Sequence, residues 1–398
     1  MSFAVRQIFQ QRISRTAAAV VLIAVLAATV PALAQTETVL YNFCSRFKCV
    51  DGAYPVGSLA RDSKGNFYGA TTGGVSNYGT VFKLTPQGKE TVVYAFTGKS
   101  DGGYPFGVVR DRSGNLYGVN SIGGAYGQGT VFEVSSTGVE TTLYTFGTVS
   151  GDGKQPIGTL VLDSAGNLYG VTVEGGAIGN GSMFKVSPGG TGTILHSFGG
   201  PYGNSVDGYL PQAGLIIDKN GNLFGTTGYG GNNDDGVVFE YSASGEYTIL
   251  ANFEPTSGPA LPYSSLTLGP KGVIYGTSLV GGTSDLGTVF SLTPSGGGAW
   301  TVDTLYSFSA AVGDEPQTTL LAKNGMLYGT TYRKGEGGFG SVFELAADGT
   351  LTTLANFSGT STGSFPAGNL LMDPSGSLYG VGFEGGTVGG GVVYKVTP

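Results

Sequence analysis

The 398-residue sequence predicts an all-β fold, a seven-bladed β-propeller with four-stranded blades, from three observations. A short glycine-flanked aromatic block returns seven times, each period holds four β-like runs, and the two ends of the array are complementary fragments of a single blade.

The block stands first at Gly65-Asn66-Phe67-Tyr68-Gly69 and returns at 114–118, 166–170 and 221–225, with weaker copies at 272–276, 325–329 and 376–380. Its aromatic residues fall at 68, 117, 169, 224, 275, 328 and 379, a spacing of 49 to 55 that leaves no room for another copy. Within a period the runs are named a to d. Residues 158–163 exemplify a, 167–172 b, 79–85 c and 90–96 d. They are short, rich in β-branched and aromatic residues, and bounded by Gly, Pro, Asn and Asp. No part of the chain after the leader has helical periodicity. The glycine that follows the block's aromatic residue, such as Gly69 or Gly118, is expected on an inner strand where neighbouring backbones converge.

The ends specify closure. Glu37-Thr-Val-Leu-Tyr-Asn-Phe43 reads as a d strand with no blade before it, and the last run, 391–396, is a c strand with no d strand after it. The N-terminal strand is therefore expected to become the outermost strand of the last blade and cover its open edge. A linear solenoid would instead want distinct caps.

Residues 1–34 read as a signal peptide. Arg6, Arg12 and Arg15 precede an apolar run at 17–30, and Ala32-Leu33-Ala34 supplies the small-x-small end, with cleavage between Ala34 and Gln35. The apolar run is shorter than the ~20 residues of a membrane-spanning helix, so a cleaved leader is preferred to a transmembrane anchor. Residues 35–398 are left as the propeller, secreted or held in the cell envelope, periplasmic or extracellular, with no second membrane span and no C-terminal sorting tail in the sequence. Loss of the three leader arginines takes the formal net charge from −7 to −10, which disfavours nucleic acid as a partner. Cys44 and Cys49, five residues apart in an exported chain, are expected to form one disulfide.

The turns divide the two faces of the ring. The a–b turns carry Asp-x-x-Gly at Asp62, Asp111, Asp163 and Asp218, read as hairpin chemistry because calcium-loop spacing is absent. Thr85-Pro86-Gln87-Gly88 and Thr293-Pro294-Ser295-Gly296 read as c–d turns. On the other face the b–c loops hold four-residue inserts, and the d–a loops carry Asp-Gly-x-x-Pro at 51–55, 101–105, 152–156 and 207–211, with the proline alone kept at Pro262, Pro316 and Pro366. Fixed length with varied content suits a binding face, and equally suits drift on a tolerant surface.

Little catalytic material is present. The one histidine, His196, occupies a strand-d slot held by Tyr41, Tyr94, Tyr144 and Tyr306 elsewhere, so it reads as a strand residue. No triad or multi-histidine metal site is supported. Gly98-Lys99-Ser100 lacks the context of a phosphate loop, and the Gly-rich b–c loops lack that of a dinucleotide site. No catalytic residue, metal or cofactor is assigned. Candidate ligand contacts on the b–c and d–a face are the aromatic residues Tyr78, Tyr126, Tyr229 and Phe339, which could stack on sugar rings, and the charged Glu174, Asp234, Asp235, Arg333 and Glu384.

The combined string Leu-x-x-Asp-x-x-Gly-Asn-Leu-Tyr-Gly-x-Thr, Gly-Gly-x4-Gly-Thr-Val-Phe and Glu-Thr-x-Leu-Tyr-x-Phe resembles the Gloeobacter–Verrucomicrobia (GloVer) tandem repeat over essentially the whole chain after the leader. The resemblance implies membership among choice-of-anchor GloVer-repeat proteins: bacterial exported proteins with varied C-terminal anchors and no established activity. It brings no catalytic residues to transfer, and the end of this chain directly after strand c departs from the anchored members. The leading expectation is a non-enzymatic exported scaffold that binds glycan or protein through the b–c and d–a face. The alternative is a carbohydrate-active hydrolase or lyase using paired carboxylates at the channel mouth; a purely structural envelope role ranks third.

Overall fold

A computed structural model describes residues 36–199, 206–254 and 258–397; the leader lies outside the described residues. Seven antiparallel four-stranded blades form a ring. Blade 1 is ordered Ala53–Arg61, Phe67–Gly73, Thr80–Leu84, Glu90–Ala95, strands a to d from the axis outward. Strand a is longer than the repeat suggests in blades 1 to 3, because the residues after Asp-Gly already pair with strand b, as in Gly153–Leu162. A break in register divides each of these strands in two, for example between Val56 and Ala60. The segment 293–296 also differs from expectation: strands Thr288–Gly296 and Ala299–Ser307 continue the hairpin, and the chain reverses at Gly297-Gly298.

The closing strand behaves as the ends of the sequence require. Thr36–Asn42 pairs antiparallel with Val392–Thr397, from Thr36 opposite Thr397 to Asn42 opposite Val392. Cys44 and Cys49 are joined in the loop that follows. Arg46, between them, reaches Glu90 of blade 1 at 3.1 Å, so the loop ties the closed blade to its neighbour.

The blades are joined by aromatic residues. The phenylalanine ending each d strand packs on the aromatic residue of strand c in the next blade, as Phe43 on Phe82 at 4.9 Å, Phe96 on Phe132 at 4.9 Å and Phe357 on Tyr394 at 4.9 Å. All are fully buried, and edge-to-face contact suits them. The same strand-c ring explains the glycine after the repeat's aromatic residue. Gly69 lies directly opposite Phe82, and a Cβ there would stand 2.6 Å from the ring. The glycine is therefore required by a ring that covers it from the adjacent strand, and crowding of backbones at the axis is not the cause.

A second joint explains why the proline outlasts its motif. The glycine preceding each c strand has positive φ and abuts the proline of the next blade, as Gly129 abuts Pro156 and Gly391 abuts Pro55. In six blades the N–H before that proline also donates to the carbonyl of the last b–c insert residue of the preceding blade, as Tyr104 N–H to Tyr78 at 2.9 Å and Gln155 N–H to Gln128 at 2.9 Å. The fixed loop length is thus set by assembly of the ring.

The closing strand carries a pH-sensitive group. One carboxyl oxygen of Glu37 is buried without a hydrogen-bond partner, and burial pushes its pKa up to about 8. A folded value above the unfolded one means that stability is fully present below about pH 4.5 and declines as pH rises towards 8. Glu37→Gln should therefore match the parent near pH 5 and exceed its melting temperature by a growing margin up to pH 8. Parallel melting curves of the two proteins across that range would expose the idea as wrong.

Candidate ligand site at the channel mouth

The repeat places a cavity on the ring axis. In every blade one or more of the three residues after the proline line it, so seven blades contribute to one lining. The cavity measures about 340 Å³ and reaches up to Tyr332 and Phe383 at the ends of two b strands, which puts it at the b–c and d–a face. Below, the axis narrows: the Thr159 hydroxyl donates to Ser58 at 3.1 Å, linking blades 1 and 3, and Gly57 N–H donates to Ala367 of blade 7 at 3.0 Å. Gly107 fits between because it has no side chain; a Cβ would meet the Thr159 hydroxyl at 2.7 Å.

The lining is neutral. Gln212, Gln317 and Asn369 present amides, Ser58, Thr159 and Ser265 present hydroxyls, and Tyr263, Phe106, Tyr332 and Phe383 present rings; no Asp, Glu, Lys or Arg is among the lining residues. Asn369 is held by its carbonyl oxygen, which accepts from Thr319 N–H at 3.2 Å. Burial, reinforced by the hydroxyl of Tyr229, raises the pKa of Tyr263, whose hydroxyl donates to Tyr229 at 3.3 Å.

The backbone above the cavity is unusual. The residue before each of the seven prolines has positive φ although none is glycine: Tyr54, Tyr104, Gln155, Leu210, Leu261, Glu315 and Phe365, at 51 to 58°. This region costs a non-glycine residue about 1 kcal/mol or more. At every one of these residues but Glu315 it is held by the inter-blade hydrogen bond described above, and at Tyr54, Tyr104 and Phe365 it delivers an aromatic side chain to the rim. Tyr54 packs on Phe383 at 5.4 Å, and Phe365 packs on Tyr332 at 5.2 Å.

The residues expected from sequence fall around this mouth, none of them lining the cavity. Tyr78 packs against Tyr104 at 6.1 Å, and Phe339 against Phe365 at 5.8 Å. Tyr229 stacks on Tyr209 at 5.5 Å and bonds Tyr263, which makes it the nearest link to the cavity wall. Tyr126 is exposed beside Gly147. Asp234 accepts from Gly230 N–H at 3.0 Å, while burial and the neighbouring Asp234 charge raise the pKa of Asp235. Arg333 pairs with Glu315 at 3.2 Å and lies over the Tyr332 ring. Burial raises the Tyr332 pKa; Arg333 opposes that shift, and the charges of Glu384 and Glu315 add to it. Glu174 lies opposite Lys154 on blade 3. The structure thus gathers Arg333 and Glu384 near Tyr332, and Asp234 near Tyr209, as separate groups.

Two other readings resolve plainly. Asp62 accepts from Lys64 N–H, Asn66 N–H, the Asn66 side chain and the Tyr68 hydroxyl, so its oxygens serve the turn. His196 bonds Asp207 at 3.0 Å and stacks on Tyr247 at 4.0 Å, doing the work of the strand-d tyrosines, which bond the equivalent Asp51, Asp101 and Asp152. Sequence reasoning missed Gln212, Tyr263, Gln317 and Asn369. The available signal was their place, one to three residues after the proline kept in every repeat.

Fold and site together define a seven-bladed β-propeller with a small-molecule-sized neutral cavity at one mouth. The model of the Gloeobacter/Verrucomicrobia repeat matches residues 29–233, 72–278 and 211–398, and the chain belongs to this repeat family. No curated protein matches it. Among solved structures it is similar to puromycin hydrolase (12% identity, TM-score 0.55, covering 83% of this chain and 50% of that one). It is also similar to the extracellular domain of a putative one-component system from B. thetaiotaomicron (13%, TM-score 0.54, 87% and 40%). A third is PorZ, a surface component of the type-IX secretion system of Porphyromonas gingivalis (15%, TM-score 0.53, 87% and 46%). The chain spans half or less of each of these proteins, and the likeness is one of fold.

Proposed function

We propose that this chain is an exported, non-enzymatic binding propeller that takes the end of an uncharged glycan into the mouth cavity. The observation that carries the reading is the lining: amides and hydroxyls at the sides, aromatic rings at the rim, and no ionic side chain among the lining residues. Amides and hydroxyls match the alternating donors and acceptors of a sugar, and rings offer apolar faces for its C–H surfaces. A volume of about 340 Å³ falls in the range of small-ligand sites, about 300–1,000 Å³. Tyr229, Tyr78, Tyr126 and Phe339 extend the aromatic surface outward for further sugar units, and Arg333, Glu174, Glu384, Asp234 and Asp235 flank it. Export follows cleavage after Ala34, and the Cys44–Cys49 disulfide suits an oxidising compartment outside the cytoplasm.

A neutral-glycan array probed with the protein from residue 35 onward should give selective binding. Tyr263→Ala and Gln317→Ala should each weaken it at least tenfold without lowering the melting temperature appreciably. Binding that survives both substitutions, or a preference for anionic glycans, would count against the reading. The hydrolase or lyase alternative draws on the raised pKa of Asp235 beside Asp234; release of new reducing ends that stops in Asp235→Asn would favour it instead.

A further inference from the structure

We propose that blades 5 and 6 hold a second ligand site, on the face opposite the channel mouth, for a small uncharged apolar molecule carrying one hydrogen-bonding group. A cavity of about 610 Å³ lies there, between the a–b turns of the two blades and the c–d turn of blade 6.

Three departures from the repeat create it. The strand-c residue opposite the block's aromatic residue is long and charged in the other six blades: Lys83, Glu133, Lys185, Glu240, Glu344 and Lys395. Three of these lysines lie over the paired tyrosine ring at 5.7 to 5.9 Å, filling the space. In blade 5 the residue is Ser291, opposite Tyr275, and the space is left open. The turn aspartate that accepts the tyrosine hydroxyl in blades 1, 2, 3 and 7 is replaced in blade 5 by Gly269. Tyr275 occupies the vacated position so closely that a Cβ on Gly269 would fall 2.4 Å from its ring. In blade 6 the a–b turn is the short Lys323-Asn324-Gly325-Met326, one residue shorter than in blade 3, with Met326 where blades 1 to 4 carry Asn.

The resulting wall is apolar at Leu305, Met326 and Leu345, with the hydroxyls of Tyr275, Ser291 and Thr304 beside it. A methionine adapts its shape to an irregular occupant. The two charged lining residues, Lys323 and Asp348, have opposite signs, so the site selects neither anion nor cation. An uncharged apolar ligand with one hydrogen-bonding group satisfies all of these features.

The test is a fluorescence titration of the full chain with N-phenyl-1-naphthylamine, an uncharged probe, and with 8-anilino-1-naphthalenesulfonate, its anionic relative. The uncharged probe should saturate a single site and bind at least tenfold more tightly than the sulfonate. Ser291→Lys and Ser291→Glu, which restore the side chains used by the other blades, should each weaken that binding at least tenfold and keep or raise the melting temperature. Absence of saturable binding, equal affinity in the filled variants that fold, or tighter binding of the sulfonate would overturn the proposal. Glycan binding at the mouth should be unchanged in both variants.

Discussion

Removing residues 36–43 is expected to lower stability by on the order of 5 kcal/mol and the melting temperature by on the order of 10 °C, and to make the protein self-associate. The deletion takes away the outer partner of Val392–Thr397, which keeps only Leu378–Glu384 on its inner side, leaving that strand as an open edge. It also removes Phe43, which is fully buried among Leu59, Phe82, Tyr379 and Val393, and loss of a buried phenylalanine side chain alone typically costs about 3–5 kcal/mol. The Arg46–Glu90 tie loses its anchorage at the same time. Calorimetry and light scattering on the deleted chain decide the matter. A melting temperature within two or three degrees of the parent, with a monomeric profile, would show that the ring does not depend on this strand.

The second large effect concerns the aromatic joint. Phe132→Ala should destabilise by about 3–5 kcal/mol, because Phe132 is fully buried, packs edge-on against Phe96 of the preceding blade, and covers Gly118. Gly118→Val alone should cost about 1–3 kcal/mol by overpacking, since a Cβ there would stand 2.5 Å from the Phe132 ring. The double variant should be more stable than the sum of the two losses by more than about 1 kcal/mol, because the valine fills part of the space that the ring leaves. Denaturant unfolding of all four proteins measures this coupling. Strict additivity would mean that glycine and phenylalanine are independent features of the repeat.

Much of the architecture was legible in the sequence because its signals are local or periodic. The blade count follows from one block, and closure follows from two fragments that complete each other. The Asp62 turn, the Cys44–Cys49 link and the strand role of His196 needed only neighbouring residues or comparison between repeats. What stayed hidden depends on partners about fifty residues away, brought together only by the ring. Gln212, Tyr263 and Gln317 occupy one slot in successive blades, yet differ in type and stand beside a proline whose own role is to meet the preceding blade's glycine. The positive φ at Tyr54 or Phe365 had no sequence mark, since it is imposed by an inter-blade hydrogen bond where a tyrosine or phenylalanine would ordinarily stay extended. The open space beside Ser291 was equally silent, because it arises from what the neighbouring turn no longer supplies.

The closing strand also governs the order in which the molecule can fold. Most pairings inside a blade join residues within one repeat, whereas the Thr387 N–H that meets Asn42 is 345 residues away from it in the chain. Local blades therefore assemble early, and the final joint waits for synthesis of the C-terminal strand, as expected for contacts of such long sequence separation. Until that joint closes, a full-length chain carries two complementary fragments of one blade, the N-terminal strand and the three C-terminal strands. The same strand pairing can form between two molecules when their concentration is high, so concentrated refolding should yield strand-exchanged oligomers, and dilution should return closed rings.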